Sequence, residues 1–151
     1  MMSNAREPRT AEVGRLFIIH QAQPPNFEEA AAEIERYQVF ASQVGKAPML
    51  MVPDRILPPI GSDVRGLYRQ MISGDPGVEA MGTVVGGLVG LGASIVTSIM
   101  TQIFQGRTDI PMRTIRDLDE ATEWLCEVAD VRAEPKAIVA AVERLRAQAE
   151  Q

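Results

Sequence analysis

The residues whose types and spacing bear on chemistry are few: Ser62, His20, Cys126, the pair Asp54 and Asp63, and the step Gly86-Gly87. Ser62 stands in Gly61-Ser62-Asp63-Val64, at the start of a helical pattern. A phosphate there would meet the positive end of the helix dipole, although serine is also what a plain N-cap requires. His20 is the only histidine. No second histidine, cysteine or carboxylate lies at ligand spacing around it, so a hydrogen-bonded histidine near a strand end is expected rather than a metal ligand. Cys126 has no basic neighbour in sequence to activate a thiolate and reads as a helix packing position. Asp54 and Asp63 flank a proline pair and would act as acid and base only if the fold brought them together. Gly86-Gly87 opens a helix after a strand, where anions can bind. Its spacing is neither G-x-G-x-x-G nor a P-loop, and close helix–sheet packing explains the glycines as well. These residues offer no nucleophile, base and orienter as a set. No catalytic residue, cofactor or metal is expected, and the chain reads as a non-enzyme.

The elements that would position these residues follow from periodicity. Val13–Gln21 is the first strand, with Leu16, Phe17, Ile18 and Ile19 a continuous apolar run as in a strand covered on both faces, and Pro24-Pro25 stops it. Asn26 caps a helix to about Val44, with Phe27, Ala30, Ile34, Tyr37, Ala41 and Val44 inward and Glu28, Glu33, Glu35 and Arg36 facing water. Pro48–Pro53 is a second strand. Ser62 caps a helix from Asp63 to Ser73, with Val64, Leu67, Met71 and Ile72 inward. Ile110–Arg116 is a last, edge-like strand containing Pro111. Two helices close the chain, one from Asp117 or Asp119 through Ala129 and one from about Glu134 to Ala149.

Between Glu79 and Arg107 the sequence carries no charged residue. A bilayer-spanning helix needs roughly 20 mostly apolar residues, so residues 81–104 are long enough for one. The run changes character at Gly86-Gly87, however. Val78–Val85 has the composition of a buried strand bounded by the Asp75-Pro76-Gly77 turn. Beyond the glycines, Leu88, Leu91, Ile95, Ile99 and Ile103 recur at helical spacing, opposite a face of Ser94, Thr97, Ser98, Thr101, Gln102 and Gln105. Strand, Gly-Gly, helix is therefore preferred to a membrane span. The hydroxyl face also leaves a homodimer open.

The alternation of strands and helices predicts an α/β fold of about four mostly parallel strands and about five helices. Residues 1–11 read as a disordered leader and 12–151 as one domain. The leader has no apolar core and is no signal peptide. With 46% hydrophobic and 23% charged residues, the composition is that of a globular chain. A net charge of −5 argues against nucleic acid as a partner. The lone cysteine excludes an internal disulfide and fits a reducing, cytoplasmic setting.

The order of elements, with the ending Met112-Arg-Thr-Ile-Arg-Asp-Leu-Asp-Glu-Ala-Thr-Glu-Trp-Leu125, resembles SpoIIAA-like (STAS-type) domains, which often close with a strand and a "DLDEAxxWL" helix. Asp117, Leu118, Asp119, Glu120, Ala121, Trp124 and Leu125 carry the likeness, over roughly Val13 to Glu127. The resemblance implies a single STAS-like domain that regulates by binding protein partners and does no chemistry. In the anti-sigma-factor antagonists of that family a serine at a helix start is phosphorylated. Ser62 is the nearest position here, although the family's Asp-Ser-Ser-Gly is replaced by Gly61-Ser62-Asp63-Val64. The apolar loop Ile56-Leu57-Pro58-Pro59-Ile60 lies beside it, and exposed apolar loops often mark a partner site. Arg55, Ile56, Leu57, Ile60 and Asp63 are the expected partner-binding residues. The alternatives are a membrane-anchored protein with one helix over residues 81–104, and a small-molecule or anion binder at Gly86 and Gly87.

Overall fold

The computed structural model describes residues 9–21, 25–53, 61–74, 77–84 and 110–149. Among them are five strands in one sheet and four helices. The chain begins with a hairpin: β1 (Thr10–Val13) runs antiparallel to β2 (Leu16–Gln21), with Val13 opposite Leu16. Gly14 and Arg15 make the turn. Gly14 sits at φ +59°, where a side chain is strained, and glycine at the first turn position suits the twist of a two-residue hairpin. This corrects two expectations. Val13 ends a separate strand instead of opening β2, and the leader read over residues 1–11 yields Thr10 and Ala11 to the sheet.

Helix α1 (Phe27–Val44) follows. The Asn26 side chain accepts from Glu29 N at 2.8 Å, and Glu29 Oε1 accepts from Asn26 N at 3.0 Å, closing a capping box. At the other end Gly45 takes φ +86° and its N–H donates to Ala41 O. The inward stripe includes Ala30, Ile34, Tyr37 and Ala41, as expected, together with Phe40. Phe27 is 48% exposed, against expectation. β3 (Ala47–Pro53) is buried throughout and lies parallel to β2. Helix α2 (Ser62–Ser73) buries Val64, Tyr68, Met71 and Ile72, and leads to β4 (Val78–Val84), parallel to β3.

β5 (Met112–Ile115) pairs with β4 in parallel and takes the sheet edge in the order β1-β2-β3-β4-β5. Pro111 precedes the strand, where its missing N–H is harmless, and its carbonyl accepts from Met81 N at 2.9 Å. Helix α3 (Leu118–Val128) is capped by Asp117, whose carboxylate accepts from Asp119 N, and α4 (Pro135–Ala149) ends the described chain. Three of the four strand pairings are parallel and the hairpin is antiparallel, so the sheet is mixed.

Successive parallel strands add in one direction, and right-handed crossovers then place α1 and α2 on the same face. Phe17, Ile19, Met49, Met51, Val78 and Met81 meet both helices there. The opposite face, with Leu16, Ile18, Leu50, Val52, Ala80 and Ile115, packs on α3 and α4. The result is helix, sheet, helix in three layers. Tyr37 ties the first layer to the sheet: its hydroxyl donates to Gly77 O at 2.5 Å and accepts from Ala47 N at 3.2 Å.

Among the described residues no helix is long and apolar enough to cross a membrane. Met81–Val84 belong to β4, so a single helix over 81–104 is overturned at its first four residues. The helix expected beyond Gly86-Gly87 lies outside the described residues.

Candidate functional site

A buried polar cluster occupies the seam where α1, α2 and the carboxyl end of β2 meet. β2 ends on Gln21, whose side chain falls on the Phe17 and Ile19 side of the sheet by strand alternation. Glu33 projects from α1 into the seam and is only 5% exposed. Tyr68 enters from α2 and is 3% exposed. The Tyr68 hydroxyl donates to Glu33 Oε2 at 2.6 Å. Gln21 Nε2 donates to the Tyr68 oxygen at 2.9 Å and reaches Glu33 Oε2 at 3.5 Å.

Burial raises the Glu33 carboxyl to about 7, well above the usual glutamate range, because the charged form is stripped of water. The hydrogen bonds from Tyr68 and Gln21 favour the carboxylate and oppose this rise, and the nearby Glu29 carboxylate adds to it. Tyr68 is pushed well above its ordinary value, chiefly by burial and by the Glu33 charge, and stays a phenol throughout the physiological range. One buried acid that changes charge near neutral pH, held by groups from three elements, is what this arrangement offers chemically.

Glu33 was expected to face water. Its spacing says otherwise: Ala30, Glu33, Ile34 and Tyr37 follow the i, i+3, i+4, i+7 pattern of one helix face. Tyr68, three residues before Met71 and four after Val64, lies on the buried face of α2 by the same rule. The signal was in the period and the residue types hid it.

At the same end of the sheet, α2 presents its first turn to solvent. Gly61 holds the cap position, so Ser62 is the first helical residue and not the N-cap. Ser62 and Asp63 are exposed, and Asp63 Oδ1 accepts from Val64 N at 2.9 Å. Arg69 and Gln70 are exposed further along the helix. Of the other expected partner residues, Arg55, Ile56, Leu57 and Ile60 lie outside the described residues. So do Asp54, with its distance to Asp63, and the Gly86-Gly87 step.

His20 is buried near the end of β2, on the opposite side of the sheet from Gln21. Cys126 is exposed on α3, and partial burial of its sulfur pushes the thiol up, away from the reactive thiolate. Among the described residues no group of three or more His, Cys, Asp or Glu side chains is placed to hold a metal ion. Comparison with known proteins finds no family model that matches the chain and no curated protein similar to it.

Proposed function

We propose that the chain is a non-enzymatic regulatory or scaffold module of STAS-like type that acts in the cytoplasm by binding another protein. The carrying observation is the solvent-facing first turn of α2, where Ser62 and Asp63 stand exposed at the carboxyl end of the sheet. In open α/β sheets this end is where loops converge and ligands are met. The closing strand and helix add support. Asp117 caps α3, while Leu118, Ala121 and Leu125 of the "DLDEAxxWL" segment pack into the second core. A phosphate on Ser62 would sit at the positive end of the α2 dipole, beside the carboxylate of Asp63, and would change the charge of the contact surface.

Site-specific photocrosslinking in the native cell tests the reading. A crosslinker at Asp63 or Arg69 is expected to trap a discrete partner, and one at Glu127, exposed on α3, is not. Arg69→Glu should abolish the Asp63 adduct. Equal trapping at all three positions, or an adduct that survives Arg69→Glu, overturns it.

A further inference from the structure

We infer that Glu33 is a proton switch that sets how firmly α2 is held against α1 and the carboxyl end of β2. The three groups of the cluster come from three separate elements, and the Tyr68–Glu33 bond is a buried polar link between α1 and α2. Around it α2 packs through the apolar side chains of Val64, Met71 and Ile72.

The groups facing the carboxyl are Glu29 from α1, the phenol of Tyr68 from α2 and the amide of Gln21 from β2. Neutral Glu33 suits the dry seam, and Tyr68 can hold its hydrogen bond to a protonated acid as well as to a carboxylate. Loss of the proton places a charge between the two helices. Tyr68 and Gln21 strengthen their bonds to it, yet burial outweighs both, since the carboxyl keeps its proton to about 7. The charge recovers its water only if the seam opens. Of the three elements, β2 is fixed between β1 and β3, and α1 is pinned to the sheet by Tyr37. Helix α2, the shorter of the two and with Gly61 instead of a side-chain cap, is the one that yields. Its exposed residues Ser62, Asp63, Arg69 and Gln70 move with it. A pH-dependent partner contact follows only if α2 is the contact helix, and so rests on the proposed function. The switch itself does not.

Titration by nuclear magnetic resonance of the full chain, without any partner, tests the switch and leaves the binding reading aside. One glutamate carboxyl carbon is expected to titrate with a midpoint about 7, and the backbone amides of Leu67, Tyr68 and Arg69 to follow it. In Glu33→Gln those amides should lose that step. Glu29→Gln keeps a side-chain oxygen for the cap, removes the neighbouring charge and should lower the midpoint. Tyr68→Phe removes the donor that favours the carboxylate and should raise it. The inference is overturned if every glutamate carboxyl titrates in the ordinary range near 4.3. It is equally overturned if the α2 amides of Glu33→Gln titrate as in the wild type, which would hand the step to another group. Should Glu33→Gln fail to fold, Glu29→Gln decides alone: an unmoved midpoint sinks the switch.

Discussion

Arg15 Nη1 and the Glu79 carboxylate meet at 3.1 Å and tie the hairpin turn to the start of β4. The same guanidinium donates to Asp130 O at 2.5 Å, to Lys46 O at 2.7 Å and to Val44 O at 3.3 Å. Glu79 accepts in turn from Asp130 N at 2.9 Å. One side chain thus gathers the end of α1, the start of β3, β4 and the α3–α4 connection at the amino end of the parallel strands. The end opposite the Glu33 cluster is bound tightly by this knot.

Removing the guanidinium strands several acceptors at once. Arg15→Met keeps the aliphatic stem but takes this donor from three carbonyls and leaves the half-buried Glu79 carboxylate with Asp130 N alone of the two donors. Breaking such a partly buried charged network costs about 2–4 kcal/mol. Urea denaturation should show the midpoint falling with the slope unchanged, as for a native-state loss. A midpoint within error of wild type would mean water replaces the donors at no cost.

Gly14 should tolerate alanine far worse than Gly45 does. Both have positive φ, +59° and +86°. A Cβ at Gly14 would fall on the carbonyl oxygens of Arg132 and Val131, which are backbone and cannot swing aside, whereas at Gly45 it meets nothing within 4 Å. Gly45→Ala should lose the strain of an alanine at φ +86° and ψ −173°, a region almost reserved for glycine, about 1–3 kcal/mol. Gly14→Ala adds to its own positive-φ strain a clash with the backbone of the α3–α4 connection, and should lose more. Thermal melts of the two variants side by side make the comparison; equal losses would contradict the close approach.

The cap of α1 was legible from sequence, and its loss is measurable. Asn26→Ala removes the acceptor for Glu29 N and breaks the capping box, at about 1 kcal/mol. Asn26→Asp retains an acceptor at the dipole's positive end and should hold wild-type stability. If alanine and aspartate melt alike, the box contributes nothing.

Periodicity carried much of the fold. Gln21 as the end of β2, Val44 as the end of α1, and a strand from Val78 ahead of Gly86-Gly87 could all be placed from local signals. What escaped was decided by tertiary contact. The β1–β2 turn has no Asn-Gly or Asp-Gly signature, and Gly14-Arg15 inside an apolar stretch read as part of one strand. Gly61 took the cap from Ser62, since glycine and serine are close rivals there. The residue type of Glu33 points to water while its spacing points inward, and Gln21 and Tyr68, the latter 35 residues away, explain how a carboxyl can stay there. Sequence spacing can show that a polar residue falls on a buried face; it cannot show which distant partner makes that burial tolerable.

Glu33 should make the protein less stable as pH rises. The native state holds the Glu33 proton until about 7, while the unfolded chain releases it near 4.5. Between those values the native state binds more protons, so raising the pH favours unfolding. The contribution is fully present below 4.5 and is lost as pH passes about 7. At 1.36 kcal/mol per pK unit, the loss is on the order of 3 kcal/mol. Other carboxylates have their own pH dependence, so the quantity to measure is the stability of wild type minus that of Glu33→Gln, from urea melts at intervals between pH 4.5 and pH 8. That difference should decline steadily with pH and level off above about 7. A difference that stays flat would mean Glu33 is hydrated in the native state. A difference that grows with pH would mean the Tyr68 and Gln21 hydrogen bonds outweigh burial, reversing the order of forces in the seam.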